Sequence, residues 1–140
     1  SGRTKMFINA FGEEVIIENA EMALSKALEM TDSQLIDYTA GPCFMEGRKS
    51  GCHEWIIEFS VPPKDFTKFV EILDSTLREV NSDYDAKRSF DLVLTQPKVH
   101  VAPRGTFYHW MDKRGKLGGQ HKVPRLSNTR EYIDEILTII

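Results

Sequence analysis

The stretch that most constrains the fold is CHEWIIEFSVPPKDFTKFVEILDSTLREV, residues 52–80. In its first ten residues Trp55, Ile57, Phe59 and Val61 alternate with Glu54, Glu58 and Ser60. A period of two predicts a strand with one buried face and one mostly polar face. Pro62 and Pro63 close that strand and are suited to opening the first turn of a helix. The apolar period then changes: Phe66, Phe69, Val70, Leu73 and Leu77 form a 3.6-residue stripe that runs to about Val80. A half-buried strand followed by a helix with one apolar face calls for a sheet with helices packed on it.

The rest of the chain fits that scheme. KMFINAF (5–11) reads as a strand ended by Gly12, and Ala20, Ala23, Leu24, Ala27 and Leu28 predict an amphipathic helix from about Glu18 to about Thr31. SQLIDYTAGPC (33–43) reads as a strand ending at Gly41-Pro42, NSDYDAKR (81–88) as a connector or short helix, and FDLVL (90–94) and KVHVA (98–102) as short strands separated by Pro97. TFYHWMDKR (106–114) predicts a two-turn helix with Thr106 as N-cap and Gly115 as its stop. A last helix buries Tyr132, Ile133, Ile136 and Leu137, and Asn128 stands where it could start. The expectation is one α+β domain over residues 1–140, with a mixed or antiparallel sheet of four or five strands.

Composition excludes several classes. With 41% hydrophobic and 28% charged residues the chain is neither disordered nor membrane-spanning, and no apolar run approaches the roughly 20 residues a bilayer requires. The N-terminus shows no signal peptide, so Cys43 and Cys52 read as reduced thiols of a cytoplasmic protein. The start at Ser1-Gly2-Arg3, without Met, reads as a short scar or a truncation, which fits a piece of something longer. None of His53, His100, His109 and His121 stands at metal-ligand spacing, so no metal site is expected and the imidazoles read as surface or half-buried. Glu13, Glu14 and Glu18 read as charge placed to complement a helix N-terminus rather than as acid–base groups.

Charge is uneven. From Asp112 to Arg125 there are five basic residues (Lys113, Arg114, Lys116, Lys122, Arg125) and one acid, a local +4 against a net −3, which leaves −7 for the remainder. An acidic body with one basic loop argues against a nucleic-acid binder. The loop reads GGQHKVPR, residues 118–125. Gly118 and Gly119 free the backbone, Lys122 supplies a point charge, Arg125 a planar fork, and Pro124 stiffens the approach, a set suited to a ligand phosphate. On residue chemistry alone a solvated basic loop explains the same composition.

Two stretches add a resemblance. The opening GRTKMFINAFGEEVIIENAE resembles the hinge at which adenylate-forming enzymes join a large N-terminal domain to a small mobile C-terminal one, with Arg3 and Lys5 at hinge positions. GTFYHWMDKRGKLGGQHKVPRLSN (105–128) resembles the C-terminal signature of the auxin-responsive Gretchen-Hagen-three family of acyl acid amido synthetases, and Tyr84 and Arg88 in NSDYDAKR resemble that family's bacterial members in particular. The resemblance covers the whole chain but only the C-terminal third of such an enzyme. It implies a mobile lid domain whose partner is an N-terminal adenylation domain of the same chain. It also implies ATP with Mg²⁺, a small carboxylic acid and an amine acceptor as the full enzyme's reactants, with no nucleic acid and no membrane. Lys122 then matches the catalytic lysine of the loop, with Gly118, Gly119, Gln120 and Arg125 around it; Lys116 is a rival. His121 departs from the family's usual Tyr, and Asn9 stands where some relatives carry a second lysine. The alternative is a free-standing α+β module that binds a small anion through the same loop without chemistry.

Overall fold

A computed structural model describes residues 7–45, 50–91, 93–114 and 123–140. In chain order the elements are β1 (Phe7–Ile8), β2 (Val15–Ile16), α1 (Ile17–Met30), β3 (Gln34–Phe44), β4 (Gly51–Val61), α2 (Phe66–Val80), α3 (Ser82–Arg88), a 3₁₀ turn (Ser89–Asp91), β5 (Lys98–Ala102), α4 (Thr106–Lys113) and α5 (Glu131–Leu137). β1 and β2 form a small antiparallel hairpin. β3, β4 and β5 form a mixed sheet in that order: β3 runs antiparallel to β4, and β5 parallel to it. The domain is therefore α+β, as its patterning predicts.

The odd-numbered face of β4 packs as expected. Trp55, Ile57 and Phe59 join Tyr38 and Ala40 of β3 under α1 and α2, which contribute Ala20, Ala23, Leu24 and Ala27, and Phe69, Leu73 and Leu77. α2 starts after the two prolines rather than on them: Asp65 is its N-cap, accepting from the Lys68 amide at 3.1 Å. Phe66, the first residue of the stripe, stays exposed. α3 docks on α2 through a buried pair, Arg88 Nη2 donating to Asp74 Oδ2 at 2.6 Å and Nε to Oδ1 at 2.9 Å, with the Tyr84 hydroxyl on the same carboxylate.

The even-numbered face differs from expectation. It is covered, not solvated: Ile56 and Ala102 pack against Phe107, Trp110 and Met111 of α4 and Ile133 and Ile136 of α5, and Glu54 and Glu58 are buried with them. β4 thus has helices on both faces. A carboxylate on such a face has to find partners there.

Other expectations need correction. The strand foreseen over 5–11 is paired only at Phe7–Ile8 among the described residues, because the chain turns at Gly12 (φ 83°) and returns as β2. The described residues of FDLVL do not form the strand foreseen: Phe90 sits at φ 57° in the 3₁₀ turn, and Leu94 makes an isolated bridge to Gly51. Thr106 is not the N-cap of α4; its hydroxyl donates to the Pro103 carbonyl at 2.6 Å, and Gly105 (φ 93°) holds the cap position. The proposed stop at Gly115 lies outside the described residues. α5 starts at Glu131, three residues after Asn128, whose side chain accepts instead from the Asn9 amide at 2.8 Å.

Phe69 is fully buried and meets Phe59 edge to face at 5.3 Å. Phe69→Ala is expected to lower stability by about 3–5 kcal/mol, read from the shift in urea unfolding midpoint. A loss under about 1 kcal/mol would show that this helix face is not the core.

Candidate functional site

The basic loop is bracketed by two segments that the fold holds. On its N-terminal side, α4 ends at Arg114, whose Nη1 donates to both Glu135 oxygens at 3.0 and 2.9 Å. The guanidinium lies over the rings of Trp110 and Tyr132, at 5.1 and 5.3 Å, and Trp110 Nε1 donates to the same Glu135. Arg114 is therefore fastened to α5 by charge and by stacking together.

On the C-terminal side, Val123 is buried in the α4–α5 core and Leu126 in the α1–α2 core. Between them the backbone adds itself to the outer edge of β3. The Ala40 amide donates to the Arg125 carbonyl at 2.8 Å, the Ser127 amide to the Ala40 carbonyl at 3.1 Å, and the Thr39 hydroxyl to the Pro124 carbonyl at 2.6 Å. Residues 123–127 thus form an arm that behaves as a short parallel strand at Leu126, closing an otherwise open sheet edge. Gly41 permits the close approach of the following turn: a Cβ there would stand 2.9 Å from the Thr129 carbonyl oxygen.

Of the residues singled out from the sequence, Arg125 is described. Its Nη1 donates to Glu21 Oε1 at 2.9 Å, its Nε lies 3.4 Å from Asp37 Oδ1, and its guanidinium lies 5.3 Å from the Tyr38 ring centroid. Burial works against its charge, but Asp37 and Glu21 outweigh that and raise its pKa. Asp37 itself is pushed up by burial, which its backbone bond to Tyr38 and the Arg125 charge only partly offset. Lys122, Gly118, Gly119, Gln120, Lys116, Arg3 and Lys5 lie outside the described residues.

Three buried polar side chains of β4 were not recognised as such from the sequence. His53 Nε2 and Glu13 Oε2 share a hydrogen bond of 2.6 Å with both side chains fully buried, and Glu13 Oε1 accepts from the Phe11 amide. The charge at Glu13 therefore serves the β1–β2 hairpin and not the N-terminus of α1. Glu58 accepts from the amides of Gly105 at 2.7 Å and Phe107 at 3.0 Å, so a carboxylate from the sheet caps α4 where Thr106 does not. Glu54 meets His100 Nε2 at 2.5 Å and Arg130 Nη1 at 2.7 Å, and the same Arg130 nitrogen donates to the Pro42 carbonyl. Cys43 and Cys52 face each other across β3 and β4 as free thiols, and burial pushes Cys52 up to about 12, with Cys43 adding to the effect. Among the described residues no three His, Cys, Asp or Glu are grouped to hold a metal ion, and no helix is long and apolar enough to cross a membrane.

Burial alone would raise the Glu54 pKa, but the bonds from His100 and Arg130 outweigh it and hold the carboxyl below its ordinary range. A depressed folded pKa stabilises above the unfolded value and loses that stabilisation as pH falls through the folded one. Glu54→Gln is therefore expected to be less stable than wild type near neutral pH, and the gap should close on acidification through the carboxylate range. A gap that is the same at both ends of a pH series of urea titrations would contradict the pairing.

The comparisons agree with this architecture. A profile described as the GH3 family C-terminal domain matches residues 18–131. No curated protein matches the sequence. Among solved structures, a GH3.15 acyl acid amido synthetase superposes with a TM-score of 0.74 at 22% identity, over 96% of this chain and 26% of its own length. The AtGH3.15 acyl acid amido synthetase in complex with 2,4-DB gives a TM-score of 0.73 at 19% identity, over 96% and 25%. At these identities the likeness is one of fold, and the chain spans about a quarter of those chains. With the profile covering most of its length, the chain belongs to the GH3 family, of which it carries the C-terminal domain.

Proposed function

We propose that this domain is the mobile lid of an ATP-dependent acyl acid amido synthetase and that Lys122 is its catalytic lysine. In the first half-reaction a carboxylate oxygen attacks the α-phosphorus of ATP, held with Mg²⁺, forming an acyl-adenylate and expelling pyrophosphate. Two anions are brought together in that step, and an ammonium group beside the α-phosphate neutralises charge that develops in the transition state. In the second, an amine attacks the acyl carbonyl, AMP leaves, and the amine's proton is given up. Lys122 has to arrive for the first step and make way for the second, which is the role of a swinging lid. Arg3 and Lys5 lie at the hinge, Gly118, Gly119 and Gln120 belong to the loop, and the N-terminal domain of the same chain supplies the rest of the substrate pocket.

The observation that carries this reading is the framing of the loop. Arg114 on one side and the 123–127 arm on the other are fixed to the same body. With both flanks fixed to one body, a hinge rotation of the domain would carry the two ends of the loop together.

In the whole enzyme, Lys122→Ala is expected to slow ATP–pyrophosphate exchange by roughly 10²-fold, about 3 kcal/mol of transition-state stabilisation. The KM for ATP should change little, and amide formation from supplied acyl-adenylate should survive. Lys116→Ala is the matched control. Equal, modest losses from both substitutions in both half-reactions would reduce the loop to a solvated basic surface, and a loss confined to Lys116→Ala would move the role to that lysine.

A further inference from the structure

We infer that Arg125, three residues beyond Lys122, is a positioning residue that fastens the lysine-bearing arm to the domain and does not itself bind the nucleotide. The inference rests on the lysine reading above.

The guanidinium is committed on three sides. Glu21 comes from α1, Asp37 and Tyr38 from β3, so one side chain joins the arm to two elements at the sheet edge. Its side chain is 39% exposed, so each ion pair by itself is worth little. What the set supplies is direction: a planar fork bonded to two carboxylates and laid on a ring has one orientation, which a lysine ammonium would not reproduce. The backbone of the same residue is fixed as well, through the Ala40 amide on its carbonyl. With two carboxylates around one guanidinium the local charge is negative, which disfavours a further anion there. A phosphate ligand would have to displace Glu21 or Asp37 first.

Consequences follow for chemistry. Lys122 is bonded directly to Val123, which is buried in the α4–α5 core, and Arg125 locks the next turn of chain. Loosening Arg125 lets the 123–127 arm leave the β3 edge and so removes the anchor that stands next to Lys122 in the chain. The loss falls on the transition state of adenylation, not on ATP affinity.

The test compares Arg125→Gln with the pair Glu21→Gln/Asp37→Asn, which leaves Arg125 in place and removes its partners. Each is expected to slow pyrophosphate exchange by about tenfold with the KM for ATP unchanged, and joining all three substitutions should add little, as for groups that act as one unit. Arg125→Lys should not rescue. Thermolysin cleavage before Leu126 should speed up by about tenfold in every one of these variants, because the arm opens more often. A raised KM for ATP in Arg125→Gln, with the partner pair neutral or tighter for ATP, would overturn the inference and make Arg125 a nucleotide ligand. If cleavage is unchanged while Lys122→Ala is defective, the fastening is wrong and the lysine reading stands. If cleavage accelerates while Lys122→Ala is fully active, the arm is fastened as described but the inference fails with the lysine reading, for there is then no lysine to position. Should Arg125→Gln fail to fold, the partner pair decides.

Discussion

The structure depends on one constraint: β4 is covered on both faces, so the carboxylates of Glu54 and Glu58 and the Nε2 of His53 have to be matched inside the protein, while Trp55 Nε1 and His53 Nδ1 have no hydrogen-bond partner among the described residues. A buried carboxylate or imidazole without partners costs several kcal/mol. Each of the three on β4 is matched by a different peripheral element. His53 holds Glu13 of the β1–β2 connection, Glu54 holds Arg130 just before α5 together with His100 of β5, and Glu58 holds the amides at the start of α4. These bonds do more than satisfy the strand. They tie the hairpin, α4 and the approach to α5 to the sheet, and α4 leads into the basic loop.

The chain on both sides of the basic loop is fastened to the domain. α4 reaches the loop with Arg114 fastened to α5, and the chain returns along the edge of β3 with Arg125 tied to α1 and β3. The Asn9 amide bonds to the Asn128 side chain, so the β1–β2 connection touches the chain just beyond the 123–127 arm.

Much of this was legible in the sequence because it depends on local pattern. The Phe69–Leu77 stripe, the β4 alternation and the α1 alanines are short-range periodicities, and each element they predict is present. What pattern could not supply were partners far away in the chain: Glu13 lies 40 residues from His53, Phe107 49 from Glu58, and Arg130 76 from Glu54. One local signal did exist. Ile56 lies between Glu54 and Glu58 on the face taken as polar, and an isoleucine there indicates a covered face. Thr106 has the chemistry of an N-cap but loses the position to a carboxylate delivered by the sheet. FDLVL has strand-forming residues, yet the positive φ at Phe90 and the Leu94 bridge to Gly51 turn it into a connection. The loop signature GGQHKVPR was found from resemblance; its spacing alone did not separate a ligand loop from a basic surface.

The claim that buried groups on β4 hold the peripheral elements is tested most directly by amide hydrogen exchange in Glu58→Met. That substitution keeps the bulk and removes both acceptors. The account predicts that the Gly105 and Phe107 amides, slow in the wild-type domain, exchange faster by more than about tenfold, the equivalent of about 1.4 kcal/mol. The β3–β4 amides should keep their rates. Unchanged exchange at Gly105 and Phe107 would contradict it, since α4 would then be held in place without the carboxylate beneath it.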